Sequence, residues 1–174
     1  MTALRELHTP RLRGAAIAEP DRAFYRAIWQ DPAVVRTLGG PRTLAQIDAK
    51  IDRLLAAWRR GPGVYTLRPR DGGDPCGYAG LAPTDAGGRD STEILYGLLP
   101  AAWGRGLATE AARALVDLAL GTLALPEVCG FTWTENRGSR RVLEKAGLTY
   151  RFSFERADLP HHYLLRSAAA TAPG

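Results

Sequence analysis

From Pro100 to Ala111 the chain reads Pro-Ala-Ala-Trp-Gly-Arg-Gly-Leu-Ala-Thr-Glu-Ala, with two glycines in three residues just ahead of an apolar, helix-like stretch. Glycine removes the Cβ where a bulky anion must approach the backbone, and it allows the tight turn that such an approach needs. The first N–H groups of a helix have no intrahelical acceptor, and the helix dipole favours negative charge beside them. Arg105 adds a permanent positive charge with forked donors. Together these residues read as a pyrophosphate cradle. A glycine turn that merely starts a helix would use the same two glycines, so spacing alone leaves both readings open. Two nucleotide loops do not fit. A P-loop ends in Gly-Lys-Ser/Thr, which is missing here. A dinucleotide fingerprint needs Gly or Ala where Thr109 stands, and an acid at the far end of the next strand, whereas Glu127 precedes that strand.

The elements that must position this junction follow from periodicity. Residues 11–18 read as a first strand ended by Pro20, Asp21 as the cap of a helix through Trp29, and Asp31-Pro32 as the start of a short helical turn. Thr43-x-x-Gln46 is a capping box that opens a helix. Leu44, Ile47, Ile51, Leu54, Leu55 and Trp58 follow the three-and-four spacing of one buried face, and Gly61-Pro62-Gly63 stops it. Strands are predicted over 64–68, 76–81 and 92–99, the first two joined by the hairpin turn Asp71-Gly-Gly-Asp-Pro75. A helix over 104–120 turns Leu107, Ala111, Ala112, Leu115, Leu118 and Ala119 inward. A strand over 128–133, a helix over 138–146 and a strand pair over 148–154 and 162–165 complete the order. That order is a mixed α/β sheet, mostly antiparallel, with one parallel strand–helix–strand crossover and helices on both faces. Gly97 and Pro100 suggest a strand that bulges and stops pairing, which leaves a cleft beside it.

The 174 residues make one domain by length, with an ordered body over about 9–166 and a flexible tail over 167–174. The hydrophobic fraction of 45% and charged fraction of 24% are those of a soluble globular protein. No apolar run approaches the roughly 18 residues of a membrane helix, and the first residues lack a secretory apolar core. Cys76 and Cys129 match no metal or redox spacing, so reduced structural thiols, no metal and a cytoplasmic location are expected. The net charge of +5 favours an anionic partner. The arginines are scattered among acids without a basic stripe, so a small polyanion fits better than nucleic acid. Neither a membrane nor a nucleic-acid partner is expected, and the oligomeric state stays open between monomer and homodimer.

Three stretches taken together resemble the GNAT superfamily of N-acetyltransferases, most closely its RimJ/RimL-like branch. They are Glu93-Ile-Leu-Tyr-Gly-Leu98, Trp103-Gly-Arg-Gly-Leu-Ala-Thr-Glu-Ala111 and Asn136-Arg-Gly-Ser-Arg-Arg-Val-Leu-Glu-Lys-Ala-Gly-Leu148. Thr9-Pro-Arg-Leu-Arg13, Asp31-Pro-Ala-Val-Val-Arg36 and Cys76-Gly-Tyr-Ala-Gly-Leu81 look like further landmarks of that branch. The resemblance spans residues 9–166. It implies the GNAT acyl-CoA N-acyltransferase fold, acetyl-CoA as acyl-donor cosubstrate, and an amine acceptor that is either a protein N-terminus or a small molecule. It implies that Leu98 and Leu99 pair backbone groups with the pantetheine arm. Trp103, Gly104, Arg105, Gly106, Leu107, Ala108 and Thr109 would wrap the pyrophosphate, with Asn136 on the pantetheine side. Trp103 departs from the Gln or Arg common in the superfamily. Arg140 or Arg141 would meet a ribose phosphate, or simply form an exposed helical face.

An aliphatic amine has a pKa near 10 and must lose a proton before it attacks a thioester. Glu93, which starts the strand leading into the cradle and matches a glutamate of related enzymes, is the candidate base; the competing reading is a surface glutamate. Ser139 resembles a serine that some RimL-type enzymes place near the sulfur, and its other reading is a helix-start hydroxyl. Many family members carry a tyrosine seven residues after the asparagine, where this chain has Leu143. That substitution keeps a second reading in play, a GNAT-fold module that binds acyl-CoA without turnover. His161 and His162 are adjacent, point to opposite faces of a strand and share no metal. Glu110 reads as a surface or paired residue, and Tyr25, Trp29 and Trp58 as packing residues, with the alternative that one of them lines the acceptor pocket.

Overall fold

The computed structural model describes residues 2–168. Strands β1 (Glu6–His8) and β2 (Leu12–Ala16) lead into helices α1 (Arg22–Ile28), α2 (Pro32–Thr37) and α3 (Leu44–Ala57). Strands β3 (Val64–Pro69), β4 (Gly77–Thr84) and β5 (Ser91–Leu98) follow, then α4 (Leu107–Asp117), β6 (Glu127–Trp133), α5 (Arg137–Lys145), β7 (Thr149–Arg156) and β8 (Leu159–Ser167). The eight strands form one sheet in the order β1-β2-β3-β4-β5-β6-β8-β7. Only β5 and β6 run parallel, in register at Glu93 and Cys129; the other neighbours are antiparallel. The expected mixed α/β sheet with one crossover is the fold observed.

Side-chain alternation along each strand divides the core between the two faces. Ile94 and Leu98 of β5 join Leu107, Ala111, Leu115 and Leu143 beneath α4 and α5. Leu95 and Leu99 turn the other way, toward Tyr25 and Ile28 of α1, Trp29 just past its end, and Ile47 and Ile51 of α3. By the same alternation Glu93 belongs to the α1–α3 face and Tyr96 to the α4–α5 face. A third cluster, Cys129, Tyr163 and Leu165 with Phe131, Phe152 and Phe154, covers the β6–β8 end of the sheet.

The capping box of α3 forms in full: Thr43 Oγ1 accepts from Gln46 N at 3.2 Å, and Gln46 Oε1 from Thr43 N at 2.9 Å. Several local expectations are corrected. Leu44, the first residue after that cap, is 52% exposed, because the buried stripe begins one turn later at Ile47. Asp21 makes no capping bond to α1. Its carboxylate instead accepts from Ala18 N, Thr66 Oγ1 and Arg68 Nη2 at 2.8–3.0 Å, tying the start of α1 to β3. No bulge occurs at Gly97: β4 and β5 stay in register from Thr84–Ser91 to Gly77–Leu98. Gly97 is glycine because a Cβ there would lie 2.7 Å from the ring of Tyr78. The sheet's irregularity falls in β7, between Tyr150 and Phe152. The expected first strand is β2, a further strand, β1, precedes it and pairs with it, and Ser167, assigned to the tail, pairs with Glu127 at the end of β8. The rest of that tail, from residue 169, lies outside the described residues.

Candidate active site

Strand β5 ends at Leu98, a short 3-10 turn runs through Pro100–Ala102, and α4 begins at Leu107. Gly104 and Gly106 have φ values of 71° and 76°, the left-handed region that side chains with a Cβ rarely adopt. A Cβ at Gly104 would enter open space, and one at Gly106 would meet only Arg11 Nη2 at 3.5 Å. Backbone conformation, not crowding by the protein, therefore selects both glycines, and the space above them is free for a ligand. No side chain caps α4, so the N–H groups of Leu107, Ala108 and Thr109 form an uncapped first turn beside the exposed Arg105. This is the uncapped, positively flanked turn that the residue types suggested, and its geometry suits an anion.

Glu110 anchors the cradle from behind. Its carboxylate accepts from Thr9 Oγ1 at 2.5 Å and from Arg11 N and Nε at 2.7 Å each. Arg11 Nη1 in turn donates to the Arg105 carbonyl at 2.9 Å. Desolvation works to raise the Glu110 carboxyl, but these donors outweigh it and hold it below the usual carboxylate range. Trp103, 43% exposed, donates its indole N–H to the Leu98 carbonyl at 2.7 Å and folds the loop back on the strand end.

The parallel pair β5–β6 shares a single register position and then splays. Leu99 N donates to Cys76 O at 2.9 Å, on the β4 side, so the backbone groups of Leu98 face the splay. Of the two leucines, Leu98 thus presents backbone to the cleft, with its carbonyl already held by Trp103, while the Leu99 N–H is committed to the sheet. Asn136 caps α5, its Oδ1 accepting from Ser139 N at 3.0 Å. Across the splay, Tyr96 OH donates to Ser139 O and pairs with Ser139 Oγ, each at 2.9 Å. Burial raises the Tyr96 phenol, partly offset by Ser139, so it remains protonated at neutral pH. Leu143 is buried against Gly130, which leaves Tyr96 as the phenol nearest Ser139. Sequence reasoning passed over Tyr96, although strand alternation from Glu93 would have placed it on the Ser139 side.

On the opposite face of β5, burial pushes the Glu93 carboxyl up to about 7, against the pull of Arg156 and Lys50. Lys50 of α3 lies over the Trp29 ring at 4.3 Å, and desolvation brings its ammonium down to about 8, with Arg42 acting in the same direction. Arg156 stacks 4.9 Å over Phe131. None of these cations was singled out in the sequence; Lys50 borders the buried Ile47–Ile51 stripe, which was the only available signal. His161 Nδ1 contacts Leu159 O at 2.8 Å, while His162 meets Ser153 Oγ at 3.1 Å and Arg140 at 3.3 Å, so the two rings diverge. Arg140 also pairs with Glu144 at 2.8 Å. Both cysteines are free thiols. Among the described residues, no three His, Cys, Asp or Glu gather into a metal site, and no helix is long and apolar enough to cross a membrane.

Comparison with known proteins matches the acetyltransferase (GNAT) domain over residues 11–149. The FsC-acetyl coenzyme A-N(2)-transacetylase of Aspergillus fumigatus is 32% identical over 152 residues. The match covers 83% of this chain and 65% of that protein, so the chain spans just under two thirds of its relative's length. The crystal structure of an acetyltransferase from Agrobacterium tumefaciens superimposes with a TM-score of 0.82 at 29% identity, covering 92% of this chain and 93% of the other. RimL, the ribosomal L7/L12 alpha-N-protein acetyltransferase in complex with coenzyme A, shares the fold, with a TM-score of 0.77 at 15% identity over 94% and 98% of the two chains.

Proposed function

The chain belongs to the GNAT acetyltransferase family, and on that premise we propose that it moves the acetyl group of acetyl-CoA to a primary amine by direct attack in a ternary complex. The observation that carries this reading is the pair of left-handed glycines opening an uncapped helix beside a splayed parallel strand pair. The free space above Gly104 fits a pyrophosphate, held by the first-turn N–H groups and Arg105. Bound there, acetyl-CoA supplies a thioester carbonyl and a thiol leaving group. Leu98 presents backbone along the splay, and Asn136, spent through Oδ1 on its own helix, keeps its side-chain N–H groups for the pantetheine side.

Glu93 takes the acceptor's proton, directly or through water; a carboxyl near 7 is matched to that task at neutral pH. When the Tyr96 hydroxyl turns its proton from the Ser139 carbonyl to Ser139 Oγ, the Ser139 hydroxyl is released to donate a hydrogen bond toward the sulfur. A backbone N–H on the cleft side of β5 stabilises the carbonyl oxygen. The RimL likeness and the Trp103-Gly-Arg-Gly106 sequence support a place in the RimJ/RimL-like branch, within a single domain that works in the cytoplasm.

The test is thiol release from acetyl-CoA with a panel of primary amines, followed by mass spectrometry of the amine. Amine-dependent release with the gain of one acetyl group is expected. Tight acetyl-CoA binding with no amine-dependent release would instead make the chain a non-catalytic acyl-CoA-binding module.

A further inference from the structure

Resting on the transferase reading above, we propose that the amine acceptor also carries an anionic group, and that Lys50, Arg42 and Arg156 select it. Three separate segments bring these cations to the α1–α3 face beside Glu93: α3, the α2–α3 connection and the end of β7, with Lys50 and Arg156 close enough to pull on Glu93 and Arg42 close enough to act on Lys50. Lys50 is fixed by stacking, because Trp29 beneath it is 1% exposed and packs edge-on to Tyr78 at 5.6 Å. Tyr78 in turn fills the space over Gly97 of β5, so the stack stands on the same face of that strand as Glu93. Arg156 lies over Phe131, two residues along β6 from Cys129, the register partner of Glu93. The two flanking segments meet, since a Cβ at Gly39 would lie 3.5 Å from Leu159 of the β7–β8 hairpin.

The charge balance is one-sided. On the outer surface of the same helical layer, Arg22 pairs with Glu19, Asp48 and Asp52, and Arg26 with Asp48. Among the described residues, Lys50, Arg42 and Arg156 reach no carboxylate within 4 Å, and Arg42 donates only to the Leu38 carbonyl at 3.2 Å. The carboxylate that Lys50 and Arg156 act on is Glu93, which burial keeps partly protonated, while Arg42 acts on Lys50. A polyamine would bring positive charge into a positive mouth. An amine with a carboxylate or similar anionic oxygen group a few bonds away places its nitrogen at Glu93 and its anion among the three cations. Such an acceptor is either a free amino-acid-like metabolite or a peptide N-terminus followed by an acidic residue.

The experiment compares kcat/KM for 6-aminohexanoate, 6-aminohexanamide and 1,6-diaminohexane, which share a backbone and differ in the charge of the far end. Calorimetry of the same three amines on the full chain saturated with coenzyme A reads the preference without turnover. The acid should exceed the amide by at least about tenfold and the diamine should rank last, a modest demand for charges separated by about 4–6 Å at a partly buried site. Lys50→Met should cut the acid-to-amide ratio by about tenfold, and Lys50→Glu should invert it toward the diamine. Any effect of Lys50 on Glu93 cancels in that ratio. Alanyl-glutamate against alanyl-glutamine separates the peptide source from the metabolite source. Equal or better binding and turnover of the amide or diamine would overturn the proposal. Preferred binding of the acid with no acetylation of any amine would support the selection while removing the transferase reading.

Discussion

The cradle and the acceptor mouth lie at β5, one past its end and the other on its α1–α3 face, and they are built in opposite ways. The cradle is mainly backbone: two left-handed glycines, an uncapped helical turn and a loop pinned by Trp103 and Glu110. The mouth consists of side chains from distant parts of the chain, with charges tuned by burial. A backbone site binds what is common to every reaction of a family, since N–H groups do not depend on side-chain identity. A side-chain site can be rewritten residue by residue, so it is where acceptor choice resides. Substitutions in the first region should therefore abolish cosubstrate binding, and substitutions in the second should change rate, pH dependence and preference.

Gly106→Val gives the largest effect. A β-branched residue at φ 76° is strained, and its side chain would project into the space proposed for the pyrophosphate. Calorimetry should find no measurable acetyl-CoA binding in a variant whose circular dichroism remains folded. Unchanged affinity would break the distinction between the two regions. A smaller effect is expected on the α5 side of the splay. Ser139→Ala should lower kcat by less than about 100-fold, the low end of acid catalysis. Tyr96→Phe should lower it by less again, because it orients Ser139, and the KM for acetyl-CoA should hold in both. A Tyr96 effect exceeding that of Ser139 would make the tyrosine the direct donor.

This contrast also explains what the sequence made legible. The glycine turn and helix start of the proposed cradle could be read because their requirements are contiguous: two glycines, an arginine and a helix start within seven residues. The capping box of α3 was legible for the same local reason, and both of its bonds form. Glu110 was read as a surface or paired residue; its partners, Thr9 and Arg11, lie about a hundred positions away and are brought near only by the sheet. Lys50, Arg42 and Arg156 were not singled out, because nothing local records that α3 and the β7–β8 hairpin flank β5. The three-residue β1 was too short to show periodicity. Gly97 was misread because the ring it accommodates, Tyr78, belongs to another strand.

The central claim is that Glu93 takes the acceptor's proton, and the most direct test is the pH–rate profile of the wild type beside Glu93→Gln. Burial raises the carboxyl to about 7, so the fraction able to accept a proton, and with it kcat/KM, should climb through that pH. Glutamine keeps the size but cannot accept the proton. The variant should be slower by about 10²–10⁴-fold at pH 7, with the inflection near 7 gone and acetyl-CoA affinity nearly unchanged. The gap should narrow as pH approaches the acceptor's pKa near 10, where the amine arrives already neutral. A variant profile that parallels the wild type within a few-fold at every pH would contradict the assignment of Glu93 as the base.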